Sequence, residues 1–125
     1  MLVDTDELIW FTRGHVGALE RLQSVAPWQI STVTYIELIQ GCRNVGEMRA
    51  IQRGLQHDTV NILPITERIS ERATSLIETY ALSHAMRLGD ALIAATALEH
   101  SLPLLSANRK HFAPVEGLRL EVFVP

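Results

Sequence analysis

The sequence is poor in reactive sulfur, with Cys42 as the single cysteine among 125 residues. An internal disulfide is therefore excluded, and so is a metal site built from several thiolates. Cys42 follows Gly41 at the end of an apolar helical segment. We expect it to be a packed thiol and not a nucleophile.

Long apolar runs are also absent, and none approaches the ~20 residues that a membrane-spanning helix needs. The apolar start of the chain runs directly into Asp4, so no basic-then-apolar leader is visible. We therefore expect a cytoplasmic protein that does not associate with a membrane.

Positive charge is scarce as well. The chain has 11 Lys and Arg residues against 14 Asp and Glu residues, which gives a formal net charge of −3. This balance argues against a general polyanion-binding surface. It leaves a nuclease possible, because bound metal ions can offset local negative charge. The length predicts a single domain over residues 1–125.

Short apolar segments alternate with helical patterns along the chain. The strands are predicted at 2–3, 28–31, 60–63, 103–106 and 118–124. Apolar spacing predicts helices near 8–10, 15–25, 33–41, 45–55, 66–80 and 89–100. This alternation predicts an α/β fold, a three-layer sandwich with a central, mostly parallel sheet of about five strands flanked by helices.

Several polar residues are predicted to share one edge of this sheet. Asp4 ends the first strand, Glu37 lies in the helix after the second strand, and Asp90 opens the helix before the fourth strand. Asn108 follows the fourth strand. Right-handed crossovers bring the carboxyl ends of parallel strands to the same edge, where ligands bind in such sheets.

Each acid also has a purely structural interpretation. Asp90 follows a glycine and precedes ALIAATAL, which is typical of a helix N-cap. Asp6 is most simply the cap of the first helix, or a residue that supports whatever Asp4 binds. Glu37 is flanked by apolar pairs, YI and LI, so we expect its carboxylate to be partly shielded and to need a partner.

Three converging carboxylates repel one another unless a positive partner is present. A divalent cation is the natural partner, and an all-oxygen ligand set favours Mg²⁺ or Mn²⁺ over zinc. Such a site suits phosphodiester hydrolysis. The five histidines show no spacing typical of paired metal ligands.

Four motifs carry a family resemblance: VDTDELIW, STVTYIELIQG, RLGDALIAATAL and LLSANRKHF. In this order and at these separations, they resemble the PIN-domain ribonucleases, in particular the VapC-type toxins of bacterial type II toxin–antitoxin pairs. Any one motif is weak, but four in order within a chain of this length are specific. The resemblance extends over nearly the whole sequence.

The resemblance implies roles for individual residues. The family's metal-binding acids match Asp4, Glu37 and Asp90. The residues expected to support the site are Thr5, Asp6, Ser31, Thr34 and Asn108. The family often has a further acid after the fourth strand, where this chain has Asn108. An amide carries no charge, so this departure weakens the case for a second tightly held metal ion.

The resemblance also implies a function. It indicates an endoribonuclease that cuts structured RNA, such as transfer, ribosomal or messenger RNA, with Mg²⁺ or Mn²⁺ as cofactor. It implies a homodimer, and an antitoxin whose tail lies across the groove and blocks the acids. The basic residues Arg87, Arg109 and Lys110, with His111, flank the proposed site. They suit either phosphate contacts or a solvated rim.

Two other protein classes share part of this pattern of acids. Haloacid-dehalogenase-type phosphatases share an opening Asp-x-Asp motif but need a lysine before the later acid, and the single lysine, Lys110, follows Asp90. Receiver domains need an aspartate at the end of the third strand, where Leu63 stands. Two alternatives stay open: a degenerate PIN domain that binds RNA or a protein without cleavage, and a housekeeping RNA-processing nuclease.

Overall fold

The structure is a computed structural model and describes residues 1–124. Its centre is a five-stranded sheet in which every neighbouring pair of strands is parallel. The strands are β1 (Leu2–Val3), β2 (Gln29–Ser31), β3 (Asn61–Leu63), β4 (Leu104–Ser106) and β5 (Leu120–Val122). Their order is β3-β2-β1-β4-β5, so the direction of winding reverses beside β1. The predicted α/β sandwich is therefore confirmed.

Seven helices flank the sheet within residues 1–124. They are α1 (Thr5–Thr12), α2 (Val16–Ser24), α3 (Thr32–Gln40), α4 (Val45–His57), α5 (Glu67–His84), α6 (Leu88–Glu99) and α7 (Arg109–Phe112). The short helix α7 was not predicted, because four residues are too few to show a helical period. None of these helices is long and apolar enough to cross a membrane.

The sheet has an apolar core on each face. Consecutive residues of a strand point to opposite faces. Leu2 and Leu104 accordingly pack with α6, whereas Val3 and Leu105 pack with α1 and α2. All four side chains are fully buried. The two central strands, β1 and β4, are therefore held from both sides, which fixes the positions of the residues that follow them.

Helix α6 lies close against its neighbours because its buried face carries small side chains. Its four alanines Ala91, Ala94, Ala95 and Ala97 are fully buried. On its far side α6 packs against α5, where Ile69 and Ala73 are buried. This packing sets the position of the first turn of α6 relative to the sheet.

The first helix starts earlier in the sequence than predicted. Helix α1 begins directly after Asp4, which is its N-cap, and Asp6 lies exposed in the first turn. The prediction that Asp6 is the cap was therefore wrong, because α1 starts directly after Asp4 and not near residue 8, where it was predicted. Cys42 is half-buried, and its thiol donates to the Leu38 carbonyl at 3.4 Å.

Candidate functional site

A cavity of about 590 Å³ opens at the carboxyl-end edge of the sheet. It lies beside β1 and β4, where the strand order reverses, which is the expected ligand position in a parallel sheet. Eight of the residues singled out in the sequence line it: Asp4, Thr5, Asp6, Glu37, Arg87, Asp90, Asn108 and His111. Residues far apart in the sequence thus meet at one place.

Asp4 is the most deeply placed of the acids, with 4% of its surface exposed. Its Oδ1 accepts a 2.8 Å hydrogen bond from the backbone N–H of Thr5, and its Oδ2 accepts a 2.6 Å bond from Ser106 Oγ. Burial raises the pKa of Asp4 to about 7, although both hydrogen bonds act to lower it. Without a cation, this carboxyl is only partly ionised at neutral pH.

Glu37 reaches the cavity from α3 and is joined to Asp4 through Thr5. The Thr5 hydroxyl donates to Glu37 Oε1 at 2.8 Å. The hydroxyl of the buried Thr34 lies 3.1 Å from the Thr5 hydroxyl oxygen. A hydroxyl has one hydrogen, so Thr34 is left to donate to Thr5. Thr5 therefore holds one oxygen of Glu37, and Thr34 holds the Thr5 hydroxyl.

The expectation that Glu37 is shielded was wrong, because its side chain is exposed. The apolar neighbours in the sequence point away from it, and Glu37 itself faces the open cavity. Gly89 lies opposite: a Cβ at that position would stand 3.4 Å from Glu37 Oε2. The absence of a side chain at Gly89 keeps the space beside this oxygen open.

Asp90 lies one turn further into its helix than expected. The N-cap of α6 is Arg87, and Asp90 is the third helical residue, so the N-cap interpretation of Asp90 was wrong. Its Oδ2 accepts a hydrogen bond from the Arg87 backbone N–H at 3.2 Å. The carboxylate therefore stabilises the helix start from the third position and still lines the cavity.

Two residues contact the acids in a way that the sequence did not predict. Ser106 ends β4, is fully buried and bonds Asp4. His111 Nδ1 lies 2.8 Å from Asp90 Oδ2. Ser106 had a usable signal, since it is a polar residue ending a buried strand next to β1. His111 was predicted to flank the site and to suit a phosphate contact, but its contact with Asp90 left no signal, because the helix that turns it inward has only four residues.

The other predicted supporting and RNA-contacting residues lie partly inside and partly outside the cavity lining. Ser31 is buried as the N-cap of α3, where its hydroxyl accepts from the Val33 N–H at 3.1 Å, and it does not line the cavity. Asn108 caps α7, and its amide contacts His111. Arg87 is exposed on the cavity wall. Arg109 and Lys110 are exposed on α7 outside the cavity lining.

The charge of the site leaves room for a cation. Within residues 1–124, no Lys or Arg forms an ion pair with Asp4, Glu37 or Asp90. In the same residues, no group of three or more His, Cys, Asp or Glu side chains is arranged so that it could hold a metal ion without other ligands. A hard cation such as Mg²⁺ keeps several of its waters and needs few protein oxygens. The donor set and the open space beside Gly89 fit such an ion.

Comparison with known proteins agrees with this architecture. The PIN domain family matches residues 1–118. The sequence is 40% identical to Ribonuclease VapC10 of Mycobacterium tuberculosis, over 100% of this chain and 95% of that protein.

Solved structures give the same result. A toxin–antitoxin complex from Klebsiella pneumoniae matches with 32% identity and a TM-score of 0.80, over 94% of this chain and 93% of the other. VapBC-1 from nontypeable Haemophilus influenzae matches with 25% identity and a TM-score of 0.79, over 97% and 96%. The resemblance carried by the four motifs is confirmed, and the chain belongs to the PIN-domain family.

Proposed function

We propose that this protein is a metal-dependent endoribonuclease that acts in the cytoplasm as the toxin of a toxin–antitoxin pair. One observation carries the proposal: Asp4, Glu37 and Asp90 come from three separate elements and line one cavity without a Lys or Arg ion pair within residues 1–124. The similarity to Ribonuclease VapC10 and to a toxin–antitoxin complex supports the same function.

The three carboxylates would hold Mg²⁺ or Mn²⁺ together with water molecules that stay bound to the ion. When bound, the cation supplies positive charge for the scissile phosphate and activates a water molecule. Thr5 and Ser106 keep the oxygens of Glu37 and Asp4 in place through hydrogen bonds of 2.8 and 2.6 Å. Because these bonds already restrict the two carboxylates, less conformational freedom is lost when the cation binds.

The proposed substrate is structured RNA, such as transfer, ribosomal or messenger RNA. Arg87 is exposed on the cavity wall, where it can contact a phosphate next to the cleaved bond. Arg109 and Lys110 lie exposed on α7 and extend the positive rim. Contacts of this kind position the RNA backbone and do not select its sequence.

The test is cleavage of total RNA with Mg²⁺ or Mn²⁺ by the wild type and by Asp4→Asn, Glu37→Gln and Asp90→Asn. We expect each variant to lose cleavage. Glu78→Gln, an exposed glutamate on α5, is the matched control and should cut like the wild type. Equal cleavage by all proteins would exclude the assigned site. No cleavage by a folded wild type on varied RNA would instead indicate a degenerate domain that only binds.

An antitoxin is the proposed protein partner. A second cavity of about 740 Å³ runs along α1, α3 and α4 and shares Ile9, Glu37 and Gly41 with the first. A peptide lying in it would cover Glu37 and block the site. Ala50→Trp should weaken co-purification with a small neighbouring-gene product, whereas Gln56→Trp, elsewhere on α4, should not. A housekeeping nuclease would show no such partner.

We also propose a homodimer, formed through the middle helices. Helix α4 has no fully buried residue, and Val45 is 54% exposed. Ile36 on α3 is 53% exposed. Covering such apolar side chains stabilises an assembly. Sedimentation equilibrium should give twice the mass of the chain, and Val45→Glu should shift the protein to the monomer.

A further inference from the structure

The short helix α7 places a histidine ring against one of the site acids. His111 Nδ1 lies 2.8 Å from Asp90 Oδ2, and the side chains of the two residues are 18% and 17% exposed. Both also line the cavity. A short contact between largely shielded groups restricts the rotation of the Asp90 carboxylate, because each rotamer that leaves the ring loses a hydrogen bond.

The proton on this ring can be assigned from its neighbours. Asn108 Nδ2 also lies 2.8 Å from His111 Nδ1, but a ring nitrogen has either one hydrogen or one lone pair for both contacts. A lone pair facing a carboxylate oxygen at 2.8 Å would be repelled. We therefore assign the hydrogen to Nδ1, which donates it to Asp90; the Asn108 amide nitrogen, itself a donor, then forms no hydrogen bond with this atom.

The same segment reaches the other deeply placed acid. The Asn108 backbone N–H donates to Ser106 Oγ at 2.9 Å, and Ser106 Oγ donates to Asp4 Oδ2 at 2.6 Å. Residues 106–111 thus bond one oxygen of Asp4 and one oxygen of Asp90. The other Asp90 oxygen, Oδ1, is left for a ligand.

We propose that His111 is a positioning residue that orients the Asp90 carboxylate toward the bound cation. It does so from residues 106–111, a segment that has no acid of its own. The role requires an N–H donor at Nδ1 and no change in the charge of the ring. The inference rests on the proposed metal-dependent function, which gives Asp90 its cation.

The test compares Mn²⁺ affinity by titration calorimetry in the absence of RNA. His111→Leu removes the donor, and we expect its affinity for Mn²⁺ to fall about 10- to 100-fold. His111→Asn keeps an N–H near the position of Nδ1 and should recover most of the affinity. His100→Leu makes the same change at the exposed C-cap of α6, the helix that carries Asp90, and should bind like the wild type.

Kinetics with RNA separate positioning from direct substrate binding. Positioning predicts that His111→Leu lowers kcat at saturating RNA and that extra Mn²⁺ restores part of it. Unchanged Mn²⁺ affinity in His111→Leu, or a rise in KM alone, would overturn the inference. A wild type that binds Mn²⁺ but cuts no RNA would reject the proposed nuclease and leave the affinity comparison valid. A wild type that binds no Mn²⁺ would reject both.

Discussion

Ser106 Oγ donates a 2.6 Å hydrogen bond to Asp4 Oδ2 across 102 positions of sequence. Both residues are buried, and each follows or ends one of the two adjacent central strands, β1 and β4. Because the strands are parallel neighbours, their carboxyl ends lie side by side. The bond therefore joins Asp4 to residues 106–111, the segment whose His111 contacts Asp90.

Removing this hydroxyl should weaken both the fold and the site. Ser106→Ala leaves Asp4 Oδ2 and the Asn108 N–H without their shared partner. A buried polar group that loses its partner costs about 1–3 kcal/mol, so the free energy of unfolding should fall by that amount. Denaturation by guanidinium measures it. Ser75→Ala, on the exposed surface of α5, is the control and should change little.

Thr5 offers a test of how Glu37 is oriented. Thr5→Val keeps the shape of the side chain but removes the hydroxyl that donates to Glu37 Oε1. We expect RNA cleavage to fall about 10- to 100-fold, as for other groups that orient metal ligands. Thr5→Ser keeps the hydroxyl and should retain most of the activity. Equal rates in the two variants would contradict an orienting role.

Glu7 should make the protein less stable as pH rises. Its side chain is fully buried, and neither carboxylate oxygen has a hydrogen-bond partner within residues 1–124. Burial raises the pKa of Glu7 from 4.5 to about 7, although Arg21 acts to lower it. Between these two values the folded chain binds more protons than the unfolded chain, so the free energy of unfolding falls with rising pH.

This dependence can be isolated by substitution. The shift corresponds to about 3 kcal/mol of stability lost between pH 4.5 and pH 8. Glu7→Met should be more stable than the wild type at pH 8 by up to that amount, and the gain should shrink toward pH 5. Denaturation of the metal-free proteins at both pH values measures it. Asp4 also titrates in this range, but it does so in both proteins. If the gain in stability of Glu7→Met did not change with pH, Glu7 would not titrate in this range and the prediction would be wrong.

Asp4 should make cation binding depend on pH. Its pKa is raised to about 7 by burial, so a proton and a cation compete for the carboxylate near neutrality. The affinity for Mn²⁺ should therefore decrease as pH falls below 7, by up to about tenfold per pH unit. Calorimetry at pH 6 and pH 8 tests this, with Asp4→Asn expected to bind weakly at both. Removal of the metal with a chelator should abolish RNA cleavage.

Sequence patterns were sufficient for the architecture because they reflect local physics. Alternating apolar strands and helices predict the parallel sheet, and the alanines of α6 predict its close packing. The parallel topology then brings Asp4, Glu37 and Asp90 to one edge. The limits of β1 were predicted correctly, but the first helix was placed near residues 8–10, and Asp4 was therefore not recognised as its cap.

The contacts within the site depend on tertiary structure and left weaker signals. The exposure of Glu37 follows from the cavity and from Gly89 on another helix, neither of which is visible in the neighbours of Glu37. His111 acquires its position only because Asn108 starts a one-turn helix after β4. Glu7 looks like an ordinary first-turn acid in the sequence, and only the packing of α1 shows that it is buried.

Because β1 pairs with β4, a strand near the other end of the sequence, part of the fold can form only late in synthesis. Val3 pairs with Leu105, and β2 and β3 lie on the other side of β1. A growing chain that has formed β1, β2 and β3 contains Asp4 and Glu37, and Asp90 follows later with α6. It cannot fix Asp4 through Ser106 or Asp90 through His111 until the ribosome has released that segment. The hydrogen bonds that organise the proposed site therefore form late, so most of the translation time passes before that site can be organised.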